Sequence, residues 1–305
     1  MLPNEIREKR ILISVLNWGM GHVSRSIGLI DQLLGQNNSV FIACSTEQEE
    51  IYTQYFDTVE FIRHDGYPFE FQGKGRFGWY LTKRVSSLRK RLLKERNEVV
   101  SMTKEHQIDL VISDHRYGFR SDKVHSVFIT HQFNLPVKWH QLSVNSVHRK
   151  LMHNFHSIWI MDYIDSKLAG KLSVSGSERK VEYIGPYSRF MLYDIEKYDK
   201  TIPTVLIASG PQIYAQQLVD EIIDNQKSDP LVVICELGIN VPIKNQRIAG
   251  SWREQDKVII SAQRIISRSG YSTIMDVHFL KCDFQFIPTP GQAEQVYLAK
   301  SHGGM

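Results

Sequence analysis

Two stretches in the last fifth of the chain carry residue types suited to holding a phosphate: Arg264-Ile265-Ile266-Ser267-Arg268-Ser269-Gly270-Tyr271-Ser272-Thr273-Ile274-Met275-Asp276, and Phe286-Ile287-Pro288-Thr289-Pro290-Gly291-Gln292-Ala293-Glu294-Gln295. The first reads as a short buried strand, a polar turn containing Gly270, and a helix opened by Ser272 or Thr273. Such a turn aims first-turn backbone N–H groups and the positive end of a helix dipole at whatever lies above it, and both favour a phosphate. The second stretch repeats the theme with a strand at 283–287, a Pro-Thr-Pro-Gly loop and a helix carrying Gln292, Glu294 and Gln295. A third loop, Ala208-Ser209-Gly210-Pro211-Gln212, also ends a strand and opens a helix, with Pro211 suited to the first helical turn. Side by side, such loops form an anion site with polar side chains to read a ligand.

A different chemistry is written near the N-terminus, where the first apolar run leads into Asn17-Trp18-Gly19-Met20-Gly21-His22-Val23-Ser24-Arg25. A dinucleotide fingerprint needs G-x-G-x-x-G and an acidic residue closing the second strand. Here position 24 is Ser and the second strand ends Ala43-Cys44-Ser45, which disfavours NAD. His22 is instead a candidate for proton transfer, because imidazole titrates near neutral pH. Asp114, closing the run Leu110-Val111-Ile112-Ser113, is placed to orient it. Both stand at C-terminal ends of strands, where doubly wound sheets hold ligands. The structural alternative is that His22 caps a turn and Asp114 starts a loop. Arg116, His131 and Gln132 also follow apolar strands, and either hold a polyhydroxylated or anionic ligand or serve loop hydrogen bonding.

The elements that must position these residues alternate along the whole chain, the pattern of α/β proteins with parallel sheets covered on both faces. Strands are expected near 10–16, 39–44, 58–63, 108–113, 124–130 and 157–161, with helices near 23–35, 46–56, 81–106 and 141–155. Later strands fall near 203–209, 230–235, 245–249, 264–267 and 283–287, and helices near 211–225, 253–263, 272–281 and 291–300. A chain of 305 residues suits two domains of about 150 residues each. The expected division is 1–165, a linker at 166–202, and 203–305. The linker contains the polar run 170–180, a short strand at 181–184, Gly185-Pro186 and the charged stretch Tyr193 to Lys200.

Arg268-Ser269-Gly270, Thr273, the carboxylate at 276, the Pro-rich loop and Gln295 together resemble the nucleotide-sugar donor site of the GT-B glycosyltransferases, family 28 in particular. The best-known member of that family adds N-acetylglucosamine to a lipid-linked muramyl precursor; its carboxylate is Glu where this chain has Asp276. The Ser209-Gly210-Gln212 loop resembles the one that meets the donor diphosphate, and Gly19-x-Gly21-His22 resembles the acceptor-side loop in which a histidine acts as base. Gly185-Pro186 with Arg189 resembles the crossing between GT-B domains.

The resemblance implies two Rossmann-like domains facing each other across a cleft, and inverting transfer of a hexosyl or N-acetylhexosaminyl group from a UDP-sugar, in preference to GDP, to an acceptor hydroxyl. It assigns His22 as base and Asp114 as its orienter. Donor contacts fall to Ser209, Gly210, Gln212, Arg268, Ser269, Gly270, Tyr271, Ser272, Thr273, Asp276, Pro290, Gly291, Gln292, Glu294 and Gln295. Acceptor contacts fall to Gly19, Gly21, Arg116, His131 and Gln132. Two other readings share the fold: a nucleotide-sugar 2-epimerase, with His115 and His131 as further acid/base groups, and a binding subunit without chemistry. GT-B chains commonly finish with a helix that returns to the first domain, whereas this chain stops at Ser301-His302-Gly303-Gly304-Met305, as a truncated or minimal member would.

Composition sets the remaining bounds. The net charge of +4 is small, and no zinc-finger or RNP-like motif argues for nucleic acid. Cys44, Cys235 and Cys282 lie far apart in or beside apolar runs, which reads as buried free thiols in a reducing cytoplasm. No apolar stretch approaches the roughly 20 residues that span a bilayer. There is no Asp-x-Asp and no zinc-ligand spacing, so the expected transfer needs neither metal nor cofactor beyond its nucleotide-sugar co-substrate. The segment 81–97 holds seven basic residues against one acidic and follows Phe69, Phe71, Phe77, Trp79 and Tyr80. It suits either a solvated helix face or peripheral contact with anionic lipid at the inner face of a membrane, useful for a lipid-linked acceptor.

Overall fold

The computed structural model describes residues 1–17, 19–66, 85–136, 142–225, 231–242 and 244–303. The chain divides into two compact units, Met1–Tyr187 and Ser188–Met305.

In the first unit β1 (Arg10–Val15), β2 (Ser39–Cys44) and β3 (Glu60–Arg63) alternate with α1 (Gly21–Leu34) and α2 (Thr46–Tyr52). They are followed by α3 (Val85–Glu105), β4 (Leu110–Asp114), β5 (His125–Thr130), α4 (Leu142–Met152), β6 (Ser157–Ile160) and β7 (Val181–Tyr183). The seven strands form one sheet in the order β3-β2-β1-β4-β5-β6-β7, and every neighbouring pair is parallel. β1, β2 and β4 are near-continuous apolar runs because helices cover both faces, leaving no solvent side to ask for alternation. Leu12, Phe41, Val99, Val111 and Phe119 form one core cluster, and Phe128, Phe133, Met152, Phe155 and Ile158 another.

In the second unit β8 (Ile202–Ala208), α5 (Gln212–Asn225), β9 (Val232–Cys235), β10 (Gln246–Ile248) and α6 (Trp252–Ile260) lead to β11 (Ala262–Arg268), α7 (Tyr271–Leu280), β12 (Asp283–Ile287) and α8 (Ala293–Ser301). Its five strands are ordered β10-β9-β8-β11-β12, again all parallel. In both sheets the chain winds outward from its first strand, then returns to that strand's other side for the fourth. The loops leaving those two adjacent strands diverge, and the crevice between them is where such sheets hold ligands. In the first unit that crevice lies between β1 and β4, and in the second between β8 and β11.

Several boundaries differ from the sequence expectation. The helix expected over 253–263 stops at Ile260, because pairing of β11 with β8 extends back to Ala262 opposite Ile202. α7 opens at Gly270 with extended backbone and no side-chain cap, so Ser272 and Thr273 lie inside its first turn. Of the helix expected over 81–106, residues 81–84 lie outside the described residues, as do the aromatic positions at 69–80.

The segment read as a linker, 166–202, is shared between the units: 166–187 belong to the first and 188–202 to the second. Its polar residues serve internal hydrogen bonds. The buried Asp162 carboxylate accepts from Leu168 N–H, Ala169 N–H and Ser173 Oγ at 3.2, 2.9 and 2.7 Å, and β7 then pairs with β6. The three cysteines are free, with Cys44 and Cys235 buried and Cys282 partly exposed. None of the described helices is long and apolar enough to cross a membrane.

Candidate functional site

Residues singled out in the first unit converge on its switch point. β1 ends at Val15, opposite Asp114 in the register with β4, and Leu16 N–H continues the ladder to Asp114 O at 3.0 Å. The chain then turns through Gly19, whose φ of +83° is the left-handed conformation glycine tolerates, and enters α1 at Gly21. His22 is therefore the second residue of a helix, facing the end of β4.

Its Nδ1 lies 3.1 Å from Asp114 Oδ2 and 2.8 Å from Nη2 of Arg25, one turn further along α1. Arg25 is 1% exposed. Its Nε donates to Asp114 Oδ2 at 2.7 Å, its Nη2 also pairs with Asp114 Oδ1, and its Nη1 donates to Nδ1 of His131 at 2.9 Å. His115 follows Asp114 at a φ of +59° and packs its ring edge-on to His22, with centroids 5.3 Å apart. His115 Nε2 is buried without a hydrogen-bond partner among the described residues.

The electrostatics follow from burial and this one arginine. Burial opposes the Asp114 charge, yet Arg25 and His22 hold its carboxyl well below the usual carboxylate range. Burial and then the Arg25 guanidinium push His22 below the ordinary histidine value, offset in part by Asp114. Burial lowers His115 well below that value too. A neutral His22 with its proton on Nδ1 toward Asp114 would leave Nε2 able to accept a proton, and Asp114 would then stabilise the imidazolium.

The other expected acceptor residues separate. His131 joins the cluster through Arg25, and Gln132 O accepts from His148 Nε2 at 2.7 Å. Arg116, expected at the acceptor, is engaged in this structure as an internal brace. Its fully buried guanidinium reaches Glu95 Oε1 at 2.7 Å, Ser14 Oγ at 3.2 Å, His64 Nδ1 at 2.9 Å and Asp65 O at 2.8 Å. A buried guanidinium must be paired on all sides, and α3, β1 and the loop after β3 supply those partners.

In the second unit the three expected loops leave β8, β11 and β12 and are tied to one another. Arg268 donates from Nη1 to Pro288 O at 3.1 Å and from Nη2 to Tyr214 O at 2.8 Å, bridging the 288–292 loop to the first turn of α5. Ser269 Oγ donates to Gln295 O, and Gln295 Oε1 accepts from Thr289 N–H, both at 2.8 Å. Ser209, Gly210, Pro290 and Gly291 are exposed at the strand ends. Gln292 occupies the N-cap of α8 with Glu294 in its first turn, and Gly270 to Thr273 start α7. Tyr271 is buried in the unit.

Two of the expected donor residues have their side chains engaged within the unit. Both Asp276 oxygens are engaged within the unit, Oδ1 by Ser188 Oγ at 2.5 Å and Oδ2 by Arg189 Nη1 at 2.9 Å. The Gln212 amide donates to Gly238 O at 2.8 Å and so fastens α5 to the loop after β9. Among the described residues no group of acidic, histidine and cysteine side chains is arranged to hold a metal ion.

Sequence reasoning missed Arg25, although it lies within the quoted turn. The available signal was its place amid Val23, Ser24, Ser26 and Ile27, a buried run that admits an arginine only with a counter-ion from another element.

No protein-family model and no curated protein matches this chain. Solved structures do match over nearly all of its length. The glycotransferase of kitacinnamycin aligns with a TM-score of 0.62 at 15% identity, covering 98% of this chain and 85% of that one. The spinosyn rhamnosyltransferase SpnG aligns at 0.65 and 14% identity, covering 96% and 85%. SpnG has also been solved with thymidine diphosphate. A UDP-glucosyltransferase from Polygonum tinctorium capable of glucosylating indoxyl aligns at 0.61 and 12% identity, covering 97% and 84%. At such identities the likeness is one of architecture: two parallel-sheet Rossmann-like units with the fold of the GT-B glycosyltransferases.

Proposed function

We propose that this protein is an inverting glycosyltransferase that moves a hexosyl or N-acetylhexosaminyl group from a nucleotide sugar to an acceptor hydroxyl. The observation that carries the reading is the placement of His22 and Asp114 together at the switch point of one sheet, 3.1 Å apart. The three loops joined by Arg268 and Gln295 at the strand ends of the other unit support it. In the proposed step His22 Nε2 takes the acceptor proton as the acceptor oxygen bonds to the anomeric carbon. The bond from that carbon to the diphosphate breaks, its electron pair leaves with the nucleotide, and one displacement inverts the centre.

Helix N-termini of α5, α7 and α8 would hold the diphosphate, with Ser209, Thr273 and Gln292 as the side chains nearest those turns. UDP is the proposed nucleotide by the family 28 resemblance, and thymidine diphosphate, bound by SpnG, is the comparison to include. Transfer is proposed to need no metal, so activity should persist in excess chelator; loss restored by magnesium or manganese would overturn that. A lipid-linked acceptor would suit α3, whose exposed face presents Arg89, Lys90, Leu93 and Lys94. Sedimentation with phosphatidylglycerol vesicles at low salt tests that contact, and equal recovery with neutral vesicles contradicts it.

The reading as a whole is tested with a panel of UDP-, thymidine-diphosphate- and GDP-sugars, recording thermal stabilisation and nucleotide release in the same samples. One donor is expected to stabilise the protein, with release that depends on added acceptor. Stabilisation by none would remove the donor site.

A further inference from the structure

We propose that Arg25 is a positioning residue that keeps His22 neutral and sets the pH at which it takes up a proton. Its catalytic consequence rests on His22 acting as the base; its effect on the imidazole does not. Arginine carries only donors and stays charged. Two of its nitrogens take the Asp114 carboxylate, so the negative charge that would otherwise serve His22 alone is already paired. Arg25 Nη2 then lies 2.8 Å from His22 Nδ1, closer than the 3.1 Å to Asp114 Oδ2. A proton on Nδ1 faces both an acceptor and a competing donor, and an imidazolium would sit beside a fixed positive charge.

The surroundings reinforce the effect. His22 is the second residue of α1, at the positive end of the helix dipole. The groups facing it are Arg25 on its own helix, Asp114 at the end of β4, His115 just after it, and, through Arg25, His131 after β5. His131 Nδ1 can only accept from Arg25, which keeps that ring unprotonated on this side and supplies no counter-charge. An isolated His-Asp pair raises the basicity of the imidazole; here burial and then the guanidinium outweigh it.

The same device recurs away from the site. Arg116 Nη2 meets His64 Nδ1 at 2.9 Å, while His64 Nε2 lies 3.1 Å from Glu98 Oε2. There burial and Arg116 push the histidine down to about 3 despite the neighbouring carboxylate.

The test is a pH titration of the histidine 15N signals of the full chain, with His22 assigned by its loss in His22→Gln. The wild-type His22 midpoint is predicted below the ordinary value of about 6.5. Arg25→Gln should move it up by about one unit or more, with Nδ1 carrying the proton toward an unopposed Asp114. Arg25→Lys, which keeps the charge but loses the fork, should move it less. Thermal melts identify any variant that fails to fold, and if Arg25→Gln is among them the smaller upward shift in folded Arg25→Lys carries the comparison, an unmoved midpoint there overturning the proposal. A wild-type midpoint at or above about 6.5, or a folded Arg25→Gln that leaves it unmoved, overturns the proposal. These signals do not depend on turnover, so inactivity with every donor would remove the transferase reading while leaving this result to be judged by itself.

Discussion

A histidine at the start of a helix beside a buried carboxylate invites a catalytic reading, yet its neighbours decide what it can do. Asp114 supports the proposed base, and Arg25 takes most of the carboxylate's hydrogen-bonding capacity. Asp114→Asn should therefore act chiefly on stability, because it leaves Arg25 buried without its counter-ion. A loss of about 3–5 kcal/mol is expected from urea unfolding, and an unchanged midpoint would contradict the pairing. Asp276 offers the opposite contrast. Burial raises its carboxyl above the usual value, although Arg189 offsets part of the effect. Asp276→Asn is expected to cost about 1–3 kcal/mol of stability and to leave donor affinity unchanged. A tenfold loss of affinity at full stability would support the donor contact expected from the sequence.

Elements are held at the sites by side chains whose types look like ligand contacts. Arg268 bridges two loops through carbonyls, a geometry that needs a planar fork. Arg268→Lys should loosen the donor loops and weaken nucleotide binding by about tenfold, near 1.4 kcal/mol, in calorimetry; unchanged affinity would show that the bridge is dispensable. Close approach matters where the loop after β4 meets α3: a Cβ on Gly118 would lie 2.7 Å from Leu92 O and also collide with the Glu95 carboxylate. Arg116 and Glu95 form their buried ion pair at this junction. The local motifs were legible because strand–turn–helix junctions have a short-range signature in glycine, proline and serine. Which of these polar side chains would also brace a loop was not legible, since that depends on partners supplied from distant positions: Glu95 for Arg116, Pro288 for Arg268, Ser188 and Arg189 for Asp276.

Across the whole molecule, alternating apolar runs and amphipathic helices made both parallel sheets readable. The extent of the first unit was not readable from composition, because the polar stretch before β7 is stitched in by Asp162. Buried neutral histidines also give the protein a shared response to acid. Burial, with Arg116, pushes His64 down to about 3, and burial lowers His148 to about 4, its Nε2 donating to Gln132 O. These groups bind protons in the unfolded chain before they do in the folded one. Their contribution is therefore complete above about pH 6.5 and is lost as pH falls toward 4, by up to about 1.4 kcal/mol per pH unit for each. The urea midpoint should drop between pH 7 and pH 5; a flat or rising midpoint would contradict neutral burial.

The proposed chemistry stands or falls on His22. With the stabilising donor in hand, acceptor-dependent nucleotide release and donor binding by calorimetry should be measured for wild type and His22→Ala. The account predicts release slowed by roughly 10²–10⁴-fold with donor affinity retained. Release at the wild-type rate in a folded His22→Ala protein would contradict it.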